Sequence, residues 1–103
     1  VKFLGEVGAC SLTNEHIEKL CEIAEEVARR YVASRVPKRA ILNLSISVEL
    51  KKSEAVNLEV EVDLALSPLF RKIDVKDLAD EAVRAAFDAA ERYMRQVKCP
   101  SKT

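Results

Sequence analysis

From Val56 to Leu66 apolar and polar residues alternate with hardly a fault. Val56, Leu58, Val60, Val62, Leu64 and Leu66 fall on one face, and Asn57, Glu59, Glu61 and Asp63 on the other. Side chains on a strand switch sides at every residue, so the pattern predicts a half-buried strand. The segment "AILNLSISVEL", Ala40 to Leu50, repeats it, with Ala40, Leu42, Leu44, Ile46, Val48 and Leu50 inward. The two apolar rows share a face only if even positions pair with even, since a one-residue slip turns one row outward. Pairing Leu50 with Val56 meets that condition and leaves "KKSEA" as the loop of a hairpin.

The flanking segments have a helical period. Ile17, Leu20, Cys21, Ala24, Val27, Ala28, Tyr31 and Val32 form one stripe over residues 14–36. Thr13 is placed to cap it, Leu12 and Ile17 to staple its first turn, and Pro37 to stop it. Residues 74–98 repeat the design, with Asp74 as the cap and Ile73 with Leu78 as the staple. Val75, Leu78, Ala79, Ala82, Val83, Ala86, Ala90, Tyr93, Met94 and Val97 supply the stripe. The expected architecture is α+β in the order α-β-β-α: an antiparallel hairpin with two antiparallel helices on one face. Residues 1–12 form an N-terminal arm or an extra edge strand, 13–99 the domain, and 100–103 a tail.

The widths raise a problem. Two strands span about 10 Å, whereas two helices side by side span about 20 Å. The "VKFLGEV" segment, a second copy, or both must widen the sheet. Off-stripe Ile23, Ala33, Ala85, Phe87 and Ala89 add apolar surface, and the expectation is a homodimer.

Composition narrows the function classes. The 17 basic and 17 acidic residues cancel, which argues against a generally basic nucleic-acid binder. No apolar run approaches the roughly 18 residues of a membrane span and no leader pattern opens the chain, so no membrane is expected and the location is read as cytoplasmic. Scarce amides beside abundant Glu, Lys and Arg fit a thermophile. The three cysteines lack zinc-knuckle spacing, no glycine-rich phosphate loop is present, and no metal or cofactor is expected. His16, the single histidine, falls in the first turn of a helix among surface acids, where nothing marks it as catalytic. The expectation is a protein without enzymatic activity.

Two charged features and one cysteine pair remain as candidates. The polar row of the second strand, with Glu49 beside it, sets Glu49, Asn57, Glu59, Glu61 and Asp63 on the face away from the helices. In the register above, Asn57 faces Glu49, Glu59 faces Ser47, Glu61 faces Ser45 and Asp63 faces Asn43. No cation stands opposite a carboxylate, and the row reads as a solvated face kept charged against sheet-to-sheet aggregation, a site for a divalent cation reached by mobile side chains, or a docking face for a basic protein partner. The alternative is an RNA- or DNA-binding module that uses a basic patch of Arg29, Arg30, Arg35, Lys38, Arg39, Arg71 and Lys72. Glu25–Arg29, Glu26–Arg30, Asp88–Arg92 and Glu91–Arg95 stand four apart with the acid first, which neutralises part of the cationic charge locally. Antiparallel helices bring Cys10 and Cys99 toward one end, a candidate disulfide. Cys21, on the stripe, reads as a buried thiol.

The capped first helix "LTNEHIEKLCEIAEEVARRYV", the hairpin, and the closing helix "KIDVKDLADEAVRAAFDAAERYMR" together resemble a family of small archaeal proteins with a domain of unknown function. The likeness runs from Leu12 to Arg95 and is carried most by Ile-Asp-Val-x-x-Leu-x-x-Glu-Ala, Ile73 to Ala82. It implies archaeal origin and the fold, and brings no catalytic residue. The function expected from the sequence is a small dimeric adaptor or assembly module.

Overall fold

The computed structural model describes residues 2–8, 13–52, 56–70 and 72–96. Its elements run β1 (Lys2–Gly8), α1 (Asn14–Arg35), β2 (Ile41–Lys52), β3 (Val56–Leu66) and α2 (Val75–Gln96), with 3-10 turns at Lys38–Ala40 and Pro68–Phe70. The three strands form one antiparallel sheet in the order β1-β3-β2. The α-β-β-α core is as the hydrophobic pattern predicts, and the N-terminal segment supplies the extra strand.

Both helices start where their caps are placed. Thr13 Oγ1 accepts from the His16 amide at 3.2 Å, and His16 Nδ1 accepts from the Thr13 amide at 3.4 Å. His16 therefore fills the place that Glu or Gln takes in a capping box. Asp74 Oδ1 accepts from the Asp77 amide at 3.2 Å and starts α2 in the same manner. Leu12, the expected staple partner of Ile17, lies outside the described residues.

The helices pack on one face of the sheet. Leu20, Ala24, Ala28 and Val32 of α1 meet Leu78, Ala79, Ala82, Val83, Ala86, Phe87, Ala90 and Met94 of α2 over Val56, Leu58, Val60 and Val62 of β3. Each fully buried aliphatic side chain contributes about 1.5–3 kcal/mol relative to exposure. The alanines let the two helices approach closely. Tyr31, near the end of α1, donates a hydrogen bond of 2.8 Å to Glu81 near the start of α2, which fixes the helices as antiparallel. The α1 helix lies over β2, and α2 over β3 and β1.

The hairpin register differs from the expected one by two residues. Leu50 pairs with Leu58, Val48 with Val60, Ile46 with Val62 and Leu44 with Leu64. Even positions still pair with even, but β2 runs on to Lys52, opposite Val56, so only residues 53–55 separate the strands. A second correction falls at the start of β2. The register shifts between Ile41 and Asn43, so Ile41 turns toward the core and Leu42 is 66% exposed instead of inward. A bulge reverses the faces on either side of it, which alternation alone does not foresee.

The N-terminal strand resolves the width problem within one chain. Phe3 pairs with Val60 and Gly5 with Leu58, which places both on the helix side of the sheet. The Phe3 ring meets Phe87 edge-on, with centroids 5.0 Å apart and planes at 85°. Such a pair contributes about 0.5–1.5 kcal/mol beyond its area. A Cβ on Gly5 would stand 3.1 Å from Phe87 and 3.2 Å from the Phe3 ring, so the missing side chain leaves room for both rings. Phe87, apolar and off the α2 stripe, is thereby 8% exposed without a partner molecule.

Candidate functional site

The sheet face away from the helices carries the acidic row, and the true register changes its character. Across β2, Glu59 stands opposite Glu49, Glu61 opposite Ser47, Asp63 opposite Ser45, and Asn57 opposite Lys51. Across β1, Lys2 stands opposite Glu61, Leu4 opposite Glu59 and Glu6 opposite Asn57. Lysines from both neighbouring strands thus sit diagonal to Glu59. Lys2 Nζ reaches Glu59 Oε2 at 2.7 Å, and Lys51 Nζ reaches Oε1 at 3.3 Å. The Glu59 side chain is left 13% exposed, whereas the two lysines are about 60% exposed.

This corrects the expectation that no cation faces the row. The short bond from Lys2 and the second from Lys51 pull the Glu59 carboxyl below the ordinary value of 4.5, against a smaller opposing effect of burial. The same bond raises the Lys2 ammonium above 10.5. Glu59 is therefore a fastening point between three strands. Its neutralisation also relieves the like-charge contact with Glu49 directly opposite.

Glu49, Glu61 and Asp63 have no ion-pair partner among the described residues. Lys2, Ser47, Glu49, Lys51, Glu59 and Glu61 line an open, charged depression of about 280 Å³. That is at the lower limit for pockets that enclose small molecules, which are mostly apolar. Among the described residues no group of three His, Cys, Asp or Glu side chains is placed to hold a metal ion. Leu4, 54% exposed, adds an apolar contact point on the same face. Lys2, Leu4 and Lys51 were not singled out in the sequence. Lys51 was assigned to the loop, and the N-terminal segment, expected as an arm or an edge strand, had no register from which its contacts could be read.

The basic patch is partly neutralised within α1. Arg29 bonds Glu25 at 2.9 Å and Arg30 bonds Glu26 at 2.7 Å, as their spacing predicts. Arg84 pairs likewise with Asp80, at 3.1 Å. The Arg35 guanidinium lies 4.9 Å above the centre of the Tyr31 ring. Lys38, Arg39 and Lys72 are exposed, and Arg71 lies outside the described residues. So do Cys10 and Cys99, the expected disulfide partners. Cys21 is a free thiol, half-buried where a buried one was expected, and that burial raises its pKa. No helix is long and apolar enough to cross a membrane among the described residues.

A two-helix layer on a three-stranded β1-β3-β2 sheet, with no element on the far sheet face among the described residues, defines a small α+β domain class. The chain belongs to the family described as "Protein of unknown function (DUF3194)", whose model matches residues 10–93. Its relatives include an uncharacterized protein of Thermococcus kodakarensis, 32% identical over 91 residues, 88% of this chain and 83% of the relative. Another, from Pyrococcus furiosus, is 29% identical over 91 residues, 88% and 81% of the two chains. The archaeal family expected from the two helices and the hairpin is thus the one found. A crystal structure from Thermococcus onnurineus NA1 has a TM-score of 0.75 and 30% identity, covering 93% of this chain and 92% of that one. The solution structure of the hypothetical protein mth677 from Methanothermobacter thermautotrophicus has a TM-score of 0.72. It covers 85% of this chain and 94% of that one at 19% identity, and shares the fold.

Proposed function

We propose that the protein is a non-enzymatic protein-interaction module that recognises a basic partner through the bare face of its sheet. The observation that carries this reading is the placement of Glu49, Glu61 and Asp63 on one face, without an ion-pair partner among the described residues, around a Glu59 already held by two lysines. Fixed backbone spacing sets those carboxylates in a pattern that a partner can match, and Leu4 offers an apolar contact within it. Small serines opposite Glu61 and Asp63 leave the carboxylates accessible.

The homodimer expected from the sheet's width has lost its main reason. The width is filled by β1, and Phe87 is covered by Phe3 and Gly5 of the same chain. A single copy is the form proposed. The nucleic-acid reading also loses support. The five aromatic residues, Phe3, Phe70, Phe87, Tyr31 and Tyr93, all lie off the open sheet face, where single-stranded nucleic acid is commonly stacked. Two of the patch arginines are bound to glutamates.

Affinity purification from an archaeal host, with identification of the captured proteins, separates the readings. Replacing Glu49 and Glu61 by Gln and Asp63 by Asn should abolish capture of a basic partner while the fold is retained. Replacing Arg35, Lys38 and Arg39 by Ala should leave it intact. The reverse pattern, with retention on heparin lost in the second variant, would overturn the proposal in favour of nucleic acid.

A further inference from the structure

The sheet ends in two strands, β1 on one side and β2 on the other. Edge strands expose unpaired N–H and C=O groups, and proteins usually blunt them with lysine, proline, bulges or short length. β2 is 12 residues long. Its blunting features lie at its ends, the shift at Ile41/Asn43 and the exposed Lys51. Between them, Asn43 to Leu50 contains no lysine, no proline and no bulge.

The helix side of this edge is also unfinished. Leu58, Val60 and Val62 on the central strand are fully buried, whereas Leu44, Ile46, Val48 and Leu50 on β2 are only half-buried. Above them runs α1. Tyr31 marks the flank of α1 that faces α2, through its bond to Glu81. By helical phase, Cys21, Glu25 and Glu18 fall on the opposite flank, over the β2 edge.

We infer that the outer edge of β2 accepts an extended segment of another protein, in which apolar residues alternate with Lys or Arg. This rests on the reading as an interaction module but not on the bare sheet face as its contact. Added as a fourth strand, such a segment satisfies the edge with main-chain hydrogen bonds. Its apolar residues continue the half-covered row of Leu44, Ile46, Val48 and Leu50 under α1. The alternate residues emerge on the opposite face beside Ser45, Ser47 and Glu49, with Glu61 one strand away. Among the described residues neither Glu49 nor Glu61 makes an ion pair, since the nearby Lys2 is held by Glu59, and Glu18 adds a carboxylate on the helix side, so the complementary charge is positive.

A second copy does not fit this edge. Symmetric pairing of two β2 strands has to be antiparallel, which places both helix layers on one face. Each α1 lies over its own β2, so the two helices would stand about 5 Å apart, against the roughly 8–10 Å at which helices pack. An extended segment brings no helix and meets no such clash.

The test uses the full chain, labelled with nitrogen-15, and the synthetic peptide Lys-Val-Thr-Val-Lys-Val-Thr-Val-Lys with blocked ends. Saturable amide shifts confined to Asn43–Leu50 and the Cys21 region of α1 are expected. Ser47→Lys, an exposed change on the polar face, should weaken binding about threefold or more by placing like charge beside the peptide. The peptide methylated at alternate backbone nitrogens should not bind. Shifts at Leu4, Glu59 and Glu61 instead would overturn the edge while leaving the bare-face reading standing. An unresponsive spectrum at millimolar peptide, or a two-chain mass with β2 amides protected, would overturn it as well.

Discussion

The two edges of this sheet are built on opposite plans. β1 has seven residues, including Gly5 and Gly8, and an irregular register between Glu6 and Gly8. It is held by a ring-on-ring contact on the helix side of the sheet and by the Lys2–Glu59 pair on the opposite face. β2 is long, regular through its middle and joined to β3 by an extended ladder, and its apolar row is left half-covered. One edge depends on a few specific side chains to stay attached and offers little to a newcomer. The other is secure in itself and has bonding capacity to spare. One outer strand is attached through a few specific side chains and the other through a long ladder, and the central strand serves both.

That contrast can be broken most severely at Phe87. Phe87→Ala removes a buried ring and the support of Phe3, and should cost about 3–5 kcal/mol, read by guanidinium denaturation. If the molecule still folds, amides of β1 should exchange faster while those paired between β2 and β3 keep their protection. Gly5→Val comes next. Its side chain enters space now held by the rings of Phe87 and Phe3, and overpacking of this kind costs about 1–3 kcal/mol. A valine has good strand propensity, so an unchanged or raised midpoint would show that the rings yield easily and that β1 is not fitted to Phe87.

A smaller effect belongs to Glu59. Its carboxyl titrates below 4.5 in the folded protein because Lys2 and Lys51 hold the charged form. A depressed folded pKa adds stability that is fully present above the ordinary value and is lost as pH falls through the folded one. The wild type should therefore lose stability on acidification below pH 4.5, and Glu59→Gln should show a flatter profile there with a slightly lower midpoint at neutral pH. Equal slopes would mean that the two lysines do not hold β1 and β2 through this residue.

Much of this arrangement was legible in the sequence. Thr13 and Asp74 announced both helix starts, and the alternation from Val56 to Leu66 gave β3 to the residue. Parity of the hairpin was legible for the same reason, but its register was not. A slip of two residues keeps every apolar side chain inward, so hydrophobic pattern cannot choose between Leu50–Val56 and Leu50–Leu58. That choice decided the character of the acidic row, because it moved Lys51 from a loop into the ladder beside Glu59. Phe87 misled in a similar way. Its partner is a strand whose inward positions include a glycine, so neither period nor composition linked the two. His16 was seen as a first-turn residue, whereas its capping bond depends on a ring orientation that sequence does not specify.

Amide hydrogen exchange along β2 in the isolated chain, followed residue by residue by NMR, shows whether the edge is open. In an antiparallel edge strand alternate residues turn their N–H groups toward the neighbour and outward to solvent. The account predicts that alternation from Asn43 to Leu50, slow amides facing β3 and fast ones facing water, in a species with the mass of one chain. Uniform slow exchange along that stretch would contradict it, since the edge would then already be occupied.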